Sequence, residues 1–233
     1  MPKLTTPDQV NLNYTDIGSG RPIVMIHGWP LSGAAFADNA KVLAAAGYRV
    51  ITYDRRGFGQ SGKPRDGYDY DTLAADLDAL LTGLDLHDVV LLGFSMGGGE
   101  VARYLATRGS ERVGAAILSG SVCPALCITK DNPDGAMPRE GFQELADACA
   151  ADHAGFVDQF CGWFYSNDQG LTVPEEVRQQ AVEIARQSAP HAAVATILTW
   201  TEDLREDCRR IDVPLLVIHG DGDQNVPLAK SSA

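Results

Sequence analysis

A serine between two glycines at fixed spacing is the part of this sequence with the clearest chemical potential. Ser95 stands at the centre of residues 93–97 (Gly-Phe-Ser-Met-Gly), directly after the apolar run of residues 89–92. A short continuous apolar run is typical of a buried strand, and the pattern over residues 100–107 predicts a helix. This order predicts a sharp strand-to-helix turn that raises the Ser95 hydroxyl at the positive end of the helix. We therefore predict that Ser95 is a nucleophile. The alternative is a glycine-rich turn that carries a surface serine.

Serine nucleophiles work with a general base that a carboxylate orients, and the end of the sequence offers two carboxylates for this role. Asp221 and Asp223 both follow the apolar run of residues 213–219, which predicts a strand. A carboxylate that orients an imidazole must lie on a loop that can reach toward the serine. We favour Asp223 as the catalytic acid and expect Asp221 to shape the turn. Either residue could instead be only a turn-stabilising aspartate.

Negative charge that develops on a substrate needs two backbone N–H donors beside the serine. One donor belongs to the residue after the nucleophile, Met96, and the other to a loop after an earlier strand, here Trp29. Loss of one such donor costs about 3 kcal/mol of activation free energy. His27 lies two residues before Trp29, but we expect it to be a hydrogen-bonded structural residue and not the base.

These residues require a scaffold that brings them to one edge of the fold. Strands and helices alternate along most of the chain, which predicts a parallel sheet with helices on both faces. Ligands bind at the carboxyl ends of strands in such sheets, where His27, Asp54 and Ser95 are predicted to lie. Residues 18–21 (Gly-Ser-Gly-Arg) predict a hairpin between the first two strands. The predicted strands cover residues 10–16, 22–27, 48–53, 89–92, 113–118 and 213–219, and the predicted helices cover residues 32–46, 71–84 and 100–107.

Residues 123–200 interrupt this alternation. They contain no convincing strand, and prolines and glycines divide them into several predicted helices. We predict a helical cap inserted over the sheet, whose core is formed by residues 1–122 and 201–233. Aromatic residues are concentrated in the cap, and we expect them to fill its core more than to contact a ligand. They are Phe142, Phe156, Phe160, Trp163, Phe164, Tyr165 and Trp200.

Composition limits the partners of the protein. The chain has 233 residues, of which 45% are hydrophobic and 21% charged, which suits one large domain or one domain with an insertion. A net charge of -12 argues against binding to nucleic acid and to anionic membrane surfaces. The polar N-terminus lacks the apolar region of a signal peptide, and no apolar run reaches membrane-spanning length. We therefore expect a cytoplasmic protein.

Metal and disulfide chemistry are not indicated by the residue pattern. The five histidines are scattered, and the five cysteines match no zinc or Cys-x-x-Cys spacing. We expect no metal and no cofactor, and we interpret the cysteines as reduced thiols that mostly fill the core. The cysteines are Cys123, Cys127, Cys149, Cys161 and Cys208.

Four segments taken together resemble the bacterial non-haem chloroperoxidases and aryl esterases, which are cofactor-free α/β-hydrolases. These segments are residues 27–30, 54–61, 93–100 and 219–224. The resemblance extends from about residue 10 to the end of the sequence and is weakest in the cap. It implies an α/β-hydrolase fold, with a mostly parallel sheet, helices on both faces and an inserted helical cap. It also implies the roles given above for the nucleophile, the acid and the two oxyanion donors.

Pro30 points to a further activity within the resemblance. Proline restricts the residue before it, and this can move the Trp29 carbonyl toward the active site, where it could accept a hydrogen bond from hydrogen peroxide. Family members with proline here resemble perhydrolases, which form peracids that oxidise halide in solution. We assign Pro30, Phe94 and Val226 to the substrate or peroxide pocket. The alternative is that Pro30 only shapes a turn.

The catalytic histidine that the resemblance implies is not found in this sequence. In the family it follows the acid by one more strand, but none of the ten residues after Asp223 is histidine. We expect a C-terminal helix-strand-helix part to be missing, and we do not expect a substitute among His87, His153, His191 and His219. Loss of the base from a serine triad lowers turnover by a factor on the order of 10⁶, so poor activity is expected of the 233-residue chain.

We interpret the chain as a serine hydrolase that acts on a small-molecule ester or carboxylic acid through an acyl-enzyme, with hydrogen peroxide as a further acyl acceptor. Haloalkane dehalogenases and epoxide hydrolases use an aspartate nucleophile, so Ser95 argues against them. Lactonases, amidases and carbon–carbon hydrolases keep serine and remain alternatives, as does a non-catalytic or inactive truncated protein. The sequence leaves the oligomeric state open, a homo-oligomer included.

Overall fold

The structure is a computed structural model that describes residues 2–228. Its strands are β1 (Lys3–Thr5), β2 (Asn11–Gly18), β3 (Pro22–Ile26), β4 (Arg49–Tyr53), β5 (Val89–Phe94), β6 (Val113–Ser119), β7 (Cys127–Ile128), β8 (Met137–Pro138), β9 (Ser166–Asn167), β10 (Gly170–Leu171) and β11 (Leu215–Ile218). Its helices are α1 (Ala37–Ala45), α2 (Tyr70–Gly83), α3 (Met96–Arg108), α4 (Arg139–Ala151), α5 (His153–Phe164), α6 (Glu175–Ala185), α7 (Pro190–Thr199) and α8 (Arg205–Arg209). A 3₁₀ turn over Gly33–Phe36, capped by Ser32, leads into α1.

Seven strands form one mixed sheet in the order β1-β2-β4-β3-β5-β6-β11. The pairs β1/β2 and β2/β4 are antiparallel, and the other neighbours are parallel. The prediction of a mostly parallel sheet with alternating helices is therefore confirmed, and the α/β fold class with it.

The predicted hairpin between the first two strands is wrong. Strand β4 lies between β2 and β3 and pairs with both. The burial of the strands explains this order: β3 is buried from Ile23 to Ile26, whereas β2 is exposed from Asp16 to Gly18. A strand that is apolar on both faces needs a neighbour on each side, and a half-polar strand is placed near the sheet edge.

Helices cover both faces of the sheet because alternate side chains of each strand point to opposite faces. On one face Ile23 and Met25 of β3 pack in a cluster with Ala40 of α1. On the other face Val24 and Ile26 join the larger core, to which α2 and α3 contribute. The spacing of apolar residues predicts the buried side of α2 correctly, since Leu73, Leu77, Leu80 and Leu81 are fully buried.

The segment between β6 and β11 is mainly helical and contains α4 to α7. It also contains two pairs of two-residue strands, β7 with β8 and β9 with β10. The expectation of no strand in residues 123–200 is therefore wrong in this detail, because each of these pairs is too short to give a periodic pattern.

Strand β11 forms an edge of the sheet in the described part of the chain. It pairs with β6, and its four apolar residues are 43–52% exposed. Across residues 2–228, none of the helices combines the length and the apolar character needed to cross a bilayer.

Candidate active site

Ser95 occupies a strained turn between β5 and α3. Its backbone has φ 53° and ψ -118°, a left-handed conformation that is uncommon for a residue with a side chain. Such a residue costs on the order of 1–3 kcal/mol and is held by its surroundings. The Ser95 amide donates to the Ser119 carbonyl at 2.9 Å, which ties the turn to the end of β6. The Ser95 side chain does not cap the helix that follows it.

The glycines on either side of Ser95 are required by close backbone approach. A Cβ atom at position 93 would lie 2.5 Å from the Gly97 carbonyl oxygen, and one at position 97 would lie 2.5 Å from the Ile26 carbonyl oxygen. Both distances are too short for a carbon atom. The sharp turn that the sequence predicts over residues 93–97 is therefore confirmed, and it leaves no room for a side chain at either glycine.

A cavity of about 230 Å³ lies at the carboxyl ends of the sheet strands, with Ser95 in its wall. We call it the Ser95 cavity. Segments after β3, β5, β6 and β11 meet there with side chains from the helical segment 139–200. Among the described residues that line the cavity, the sole charged side chain is that of Asp223. The lining residues are Trp29, Phe94, Ser95, Gly120, Val122, Leu126, Ala136, Met137, Phe142, Leu145, Phe156, Phe160, Trp163, Phe164, Trp200, Asp223, Gln224, Asn225 and Val226.

The expectation that the cap aromatics mainly fill a core is met by five of the seven, which belong to the hydrophobic clusters or pack against them: Phe142, Phe156, Phe160, Tyr165 and Trp200. Six of the seven line the Ser95 cavity, and Tyr165 is the exception. Trp29 packs edge-on against three of them, with ring centroids 6.0 Å from Phe156, 4.7 Å from Phe160 and 5.2 Å from Trp200. An apolar side chain predicts burial in either environment, so the sequence did not distinguish a cavity wall from a packed core.

The structure brings Asp223 to the cavity and leaves Asp221 outside it. Asp223 Oδ1 accepts hydrogen bonds from the amides of Asn225 and Val226, both at 2.9 Å. A Cβ atom built on Gly120 would lie 3.6 Å from Asp223 Oδ2, which places that oxygen beside the end of β6. Asp221 is exposed and does not line the cavity.

Of the two predicted oxyanion donors, Trp29 lines the Ser95 cavity, whereas Met96 follows Ser95 in the chain and is not a lining residue. Met96 is the first residue of α3 and is fully buried. A helix leaves its first backbone N–H groups without intrahelical acceptors, and the role of the Met96 amide as an oxyanion donor stays a prediction. Trp29 is 4% exposed, and its indole Nε1 donates to the Ala193 carbonyl at 3.0 Å, which fixes the side chain under α7.

Of the three residues assigned to the pocket, the structure places Phe94 and Val226 in the Ser95 cavity but not Pro30. Pro30 lines a small adjoining cavity of about 10 Å³ together with Trp29 and Phe160. Pro30 is joined to Trp29 by a cis peptide bond. Any influence of Pro30 on a ligand is therefore exerted through Trp29.

Buried His27 is held by backbone groups on both sides of its ring. Nε2 accepts the Arg55 amide at 3.0 Å, so the proton lies on Nδ1, which donates to the Gly28 carbonyl at 2.9 Å. Burial, and then the charge of Arg55, lowers the pKa of His27 well below its usual range. His27 thus stays neutral and supports the loop that carries Trp29, as a structural residue would.

None of the five histidines, all of which fall within residues 2–228, lines the Ser95 cavity. His87 contacts Asp85, His153 contacts Ser188, and His191 contacts the Pro64 carbonyl. His219 lies nearest to the acid: its Nε2 is 3.6 Å from Asp223 Oδ2 but donates to the Val226 carbonyl at 2.6 Å. His219 therefore fixes the loop of Asp223.

A buried ion pair, which sequence reasoning did not find, supports both sides of the site. Arg55 Nε donates to Glu100 Oε2 at 2.9 Å, and both side chains are fully buried. Arg55 also donates to the His27 carbonyl at 2.9 Å, and Tyr53 donates to Glu100. Burial raises the pKa of Glu100, while Arg55 opposes that shift. Since Glu100 belongs to α3, the pair joins this helix to the segment after β4, and the Arg55 bond to the His27 carbonyl extends the link to the segment after β3.

Comparison with known proteins gives one consistent result. Residues 21–233 match the alpha/beta hydrolase fold family. The chain is 42% identical over 230 residues to a non-heme chloroperoxidase of Kitasatospora aureofaciens, covering 98% of this chain and 83% of that protein. It is 35% identical over 229 residues to a bifunctional esterase/perhydrolase of Acinetobacter calcoaceticus, covering 96% and 83%. A bromoperoxidase structure from Bacillus anthracis superposes with a TM-score of 0.95 at 39% identity, covering 99% of this chain and 85% of that one.

Proposed function

Because the chain belongs to the alpha/beta hydrolase family, we propose that it is a serine hydrolase that cleaves carboxylic esters through an acyl-enzyme on Ser95. The observation that carries the proposal is the left-handed turn that presents Ser95 to an apolar cavity shared with Asp223. The chain is an enzyme of the hydrolase fold with haloperoxidase and esterase relatives. The ester reaction itself is our inference.

In the proposed reaction Ser95 Oγ attacks the ester carbonyl, and the amides of Trp29 and Met96 stabilise the oxyanion. The tetrahedral intermediate collapses, the alcohol leaves, and the acyl group remains on Ser95 until water attacks it. A general base takes the Ser95 proton during attack and returns it to the leaving alkoxide, and Asp223 would orient an imidazole in that role. Since none of the five histidines lines the Ser95 cavity, we assign the base to none of them.

The lining of the cavity supports a neutral, apolar substrate. Aromatic and aliphatic side chains form most of the wall, and a charged acyl group would meet no basic side chain among the lining residues described. A buried charge without a partner is strongly disfavoured. We therefore propose esters with uncharged acyl groups as substrates.

We further propose hydrogen peroxide as a second acyl acceptor. Attack of peroxide on the acyl-enzyme gives a peracid, which oxidises halide in solution without a metal or haem. The Trp29 carbonyl, positioned by Pro30, would accept a hydrogen bond from peroxide. The names of two relatives, a bifunctional esterase/perhydrolase and a non-heme chloroperoxidase, support this activity.

A bromination assay tests the role of Pro30. Peroxide-dependent bromination with acetate present should be slower in Pro30→Leu than in the parent. Equal rates of peracid formation in Pro30→Leu and the parent would exclude this role of Pro30.

A fluorophosphonate probe tests the nucleophile directly. We expect covalent labelling at Ser95 that is absent in Ser95→Ala and unaffected in Ser188→Ala, a control serine that hydrogen-bonds His153 away from the cavity. Hydrolysis of a short aryl ester should be slow because no base is assigned, and Asp223→Asn should lower kcat further below that of the parent. Asp221→Asn is the matched control and should leave kcat unchanged. Equal losses in both aspartate variants would contradict the assignment of the acid.

A non-catalytic binding protein is the second candidate, favoured by the position of the histidines outside the cavity. This alternative predicts that Ser95 stays unlabelled while an apolar ligand quenches the fluorescence of Trp29 and Trp200 in the wall. Labelling of Ser95 within minutes would exclude it.

A further inference from the structure

Two of the five cysteines meet where the loop after β6 contacts α8. Cys123 is 2% exposed, and its thiol forms a hydrogen bond with that of Cys208. The two segments are also joined by the Leu204 amide, which donates to the Pro124 carbonyl at 2.8 Å. Cys208 is only partly buried, so a small reagent can reach one sulfur of the pair.

The two thiols differ in reactivity. The hydrogen bond with Cys123 lowers the pKa of Cys208, whereas the same hydrogen bond and then burial raise the pKa of Cys123. Cys208 is thus the better thiolate and Cys123 the partner that holds the proton. Burial raises the pKa of Cys149 and Cys161 to about 11 each, so both remain protonated at neutral pH.

We propose that Cys123 and Cys208 are a modification site at which hydrogen peroxide converts the two thiols to a disulfide. The Cys208 thiolate attacks one peroxide oxygen, the O–O bond breaks, and hydroxide leaves, giving a sulfenic acid on Cys208. The Cys123 sulfur then attacks the Cys208 sulfur, and the S–O bond breaks as the S–S bond forms. The displaced oxygen leaves as water with the Cys123 proton. In total two thiols and one peroxide give one disulfide and two water molecules.

The location gives the disulfide a structural consequence near the Ser95 cavity. Val122 and Leu126, on either side of Cys123, line the cavity. Cys208 lies on α8, where Asp207 Oδ2 accepts a hydrogen bond from Arg103 of α3 at 3.1 Å. The disulfide would tie this part of the cavity wall to the element behind α3.

Thiol counting after mild oxidation tests the proposal. The reduced protein is treated with a small excess of hydrogen peroxide, denatured in maleimide and analysed by intact mass and peptide mapping. We expect two of the five thiols to be lost, the unlabelled protein to lose about 2 Da, and a Cys123–Cys208 cross-link that dithiothreitol reverses. Because the step needs no turnover at Ser95, Ser95→Ala should give the same result, which separates this test from that of the proposed function.

Single serine substitutions identify the roles of the two sulfurs. Cys208→Ser should abolish the thiol loss, Cys123→Ser should leave a sulfenic acid on Cys208 that dimedone traps, and the control Cys161→Ser should still lose two thiols. Retention of all five thiols in the parent, a sulfinic acid on Cys208 without a cross-link, or a cross-link between other cysteines would each overturn the proposal. The peptide map of the parent decides the question even if Cys123→Ser, a buried substitution, does not fold.

Discussion

The two carboxylate oxygens of Asp223 have different surroundings. Oδ1 is held by the amides of Asn225 and Val226, and Oδ2 lies near the end of β6. His219 fixes the same loop through the Val226 carbonyl. Oδ1 therefore anchors the side chain, while the neighbour of Oδ2 is His219 Nε2 at 3.6 Å. The sequence favours Asp223 over Asp221 by reach alone, the structure places only Asp223 at the cavity, and the role of the acid stays a prediction.

His27 is expected to make the protein less stable as the pH falls. Its folded-state pKa is well below the usual value because of burial and then Arg55, while in the unfolded chain it binds a proton near pH 6.5. The unfolded state therefore binds more protons below that pH, and the free energy of unfolding decreases. We expect a loss approaching about 1.4 kcal/mol per pH unit below about 6.5, measured by urea denaturation at constant ionic strength.

Variants of two histidines separate this effect from general acid sensitivity. His27→Gln should reduce the slope of stability against pH, with the remainder due partly to His153, whose pKa is also lowered by burial. His87→Gln is the control because the His87 side chain is 64% exposed. An unchanged slope in His27→Gln would contradict the prediction.

At the scale of elements, glycines at the start of α3 set how closely this helix approaches its neighbours. A Cβ atom at position 98 would lie 2.0 Å from Ser121 Oγ, and one at position 99 would lie 2.3 Å from Tyr70 Cζ. The helix begins at Met96, four residues earlier than the sequence predicts. Glycine has low helix propensity, so the sequence pattern does not reveal the first turn, which close packing stabilises.

Two glycine-to-alanine substitutions with opposite expected signs test this packing. Gly97→Ala places a carbon atom against backbone of β3, since the Ile26 carbonyl oxygen would be 2.5 Å away, and we expect a loss of about 1–3 kcal/mol in the free energy of unfolding. Gly162→Ala in α5 meets nothing within 4 Å and should gain up to about 1 kcal/mol. Urea denaturation measures both, and equal effects would contradict the packing explanation.

At the scale of the whole molecule, β11 leaves an exposed apolar edge in the described structure. Leu216 is 52% and Ile218 is 51% exposed, and an open edge with apolar side chains favours pairing with another chain. The sequence predicts a strand here from the apolar run of residues 213–219. How exposed the side chains of β11 are depends on the elements that pack against the strand, and not on the residues of the strand itself.

We expect the 233-residue chain to self-associate through this edge. Its apparent mass in light scattering should rise with protein concentration, and Leu216→Lys should reduce that rise. Val42→Lys is the control, since Val42 is 69% exposed but lies on α1, away from β11. A parent chain that stays monomeric over the whole concentration range would contradict the prediction.

The sequence alone determined the fold class, the family and the position of the serine turn. Apolar runs, helical periods and glycines at fixed spacing are local features, and physical chemistry connects each of them to a local structure. They were sufficient for the mostly parallel sheet, the amphipathic α2 and the Gly93–Gly97 turn, and the resemblance to non-haem chloroperoxidases is confirmed by the relatives. The roles of Ser95 and Asp223 remain predictions for the probe and ester assays.

Only the tertiary structure decided which distant residues meet. The position of β4 between β2 and β3, the Arg55–Glu100 pair and the contact of Cys123 with Cys208 join residues far apart in sequence. No local pattern carries such pairings, because they depend on how helices and strands pack against one another. For the same reason the cap aromatics look like core residues in the sequence, and they become a cavity wall only where packed elements leave a space above Ser95.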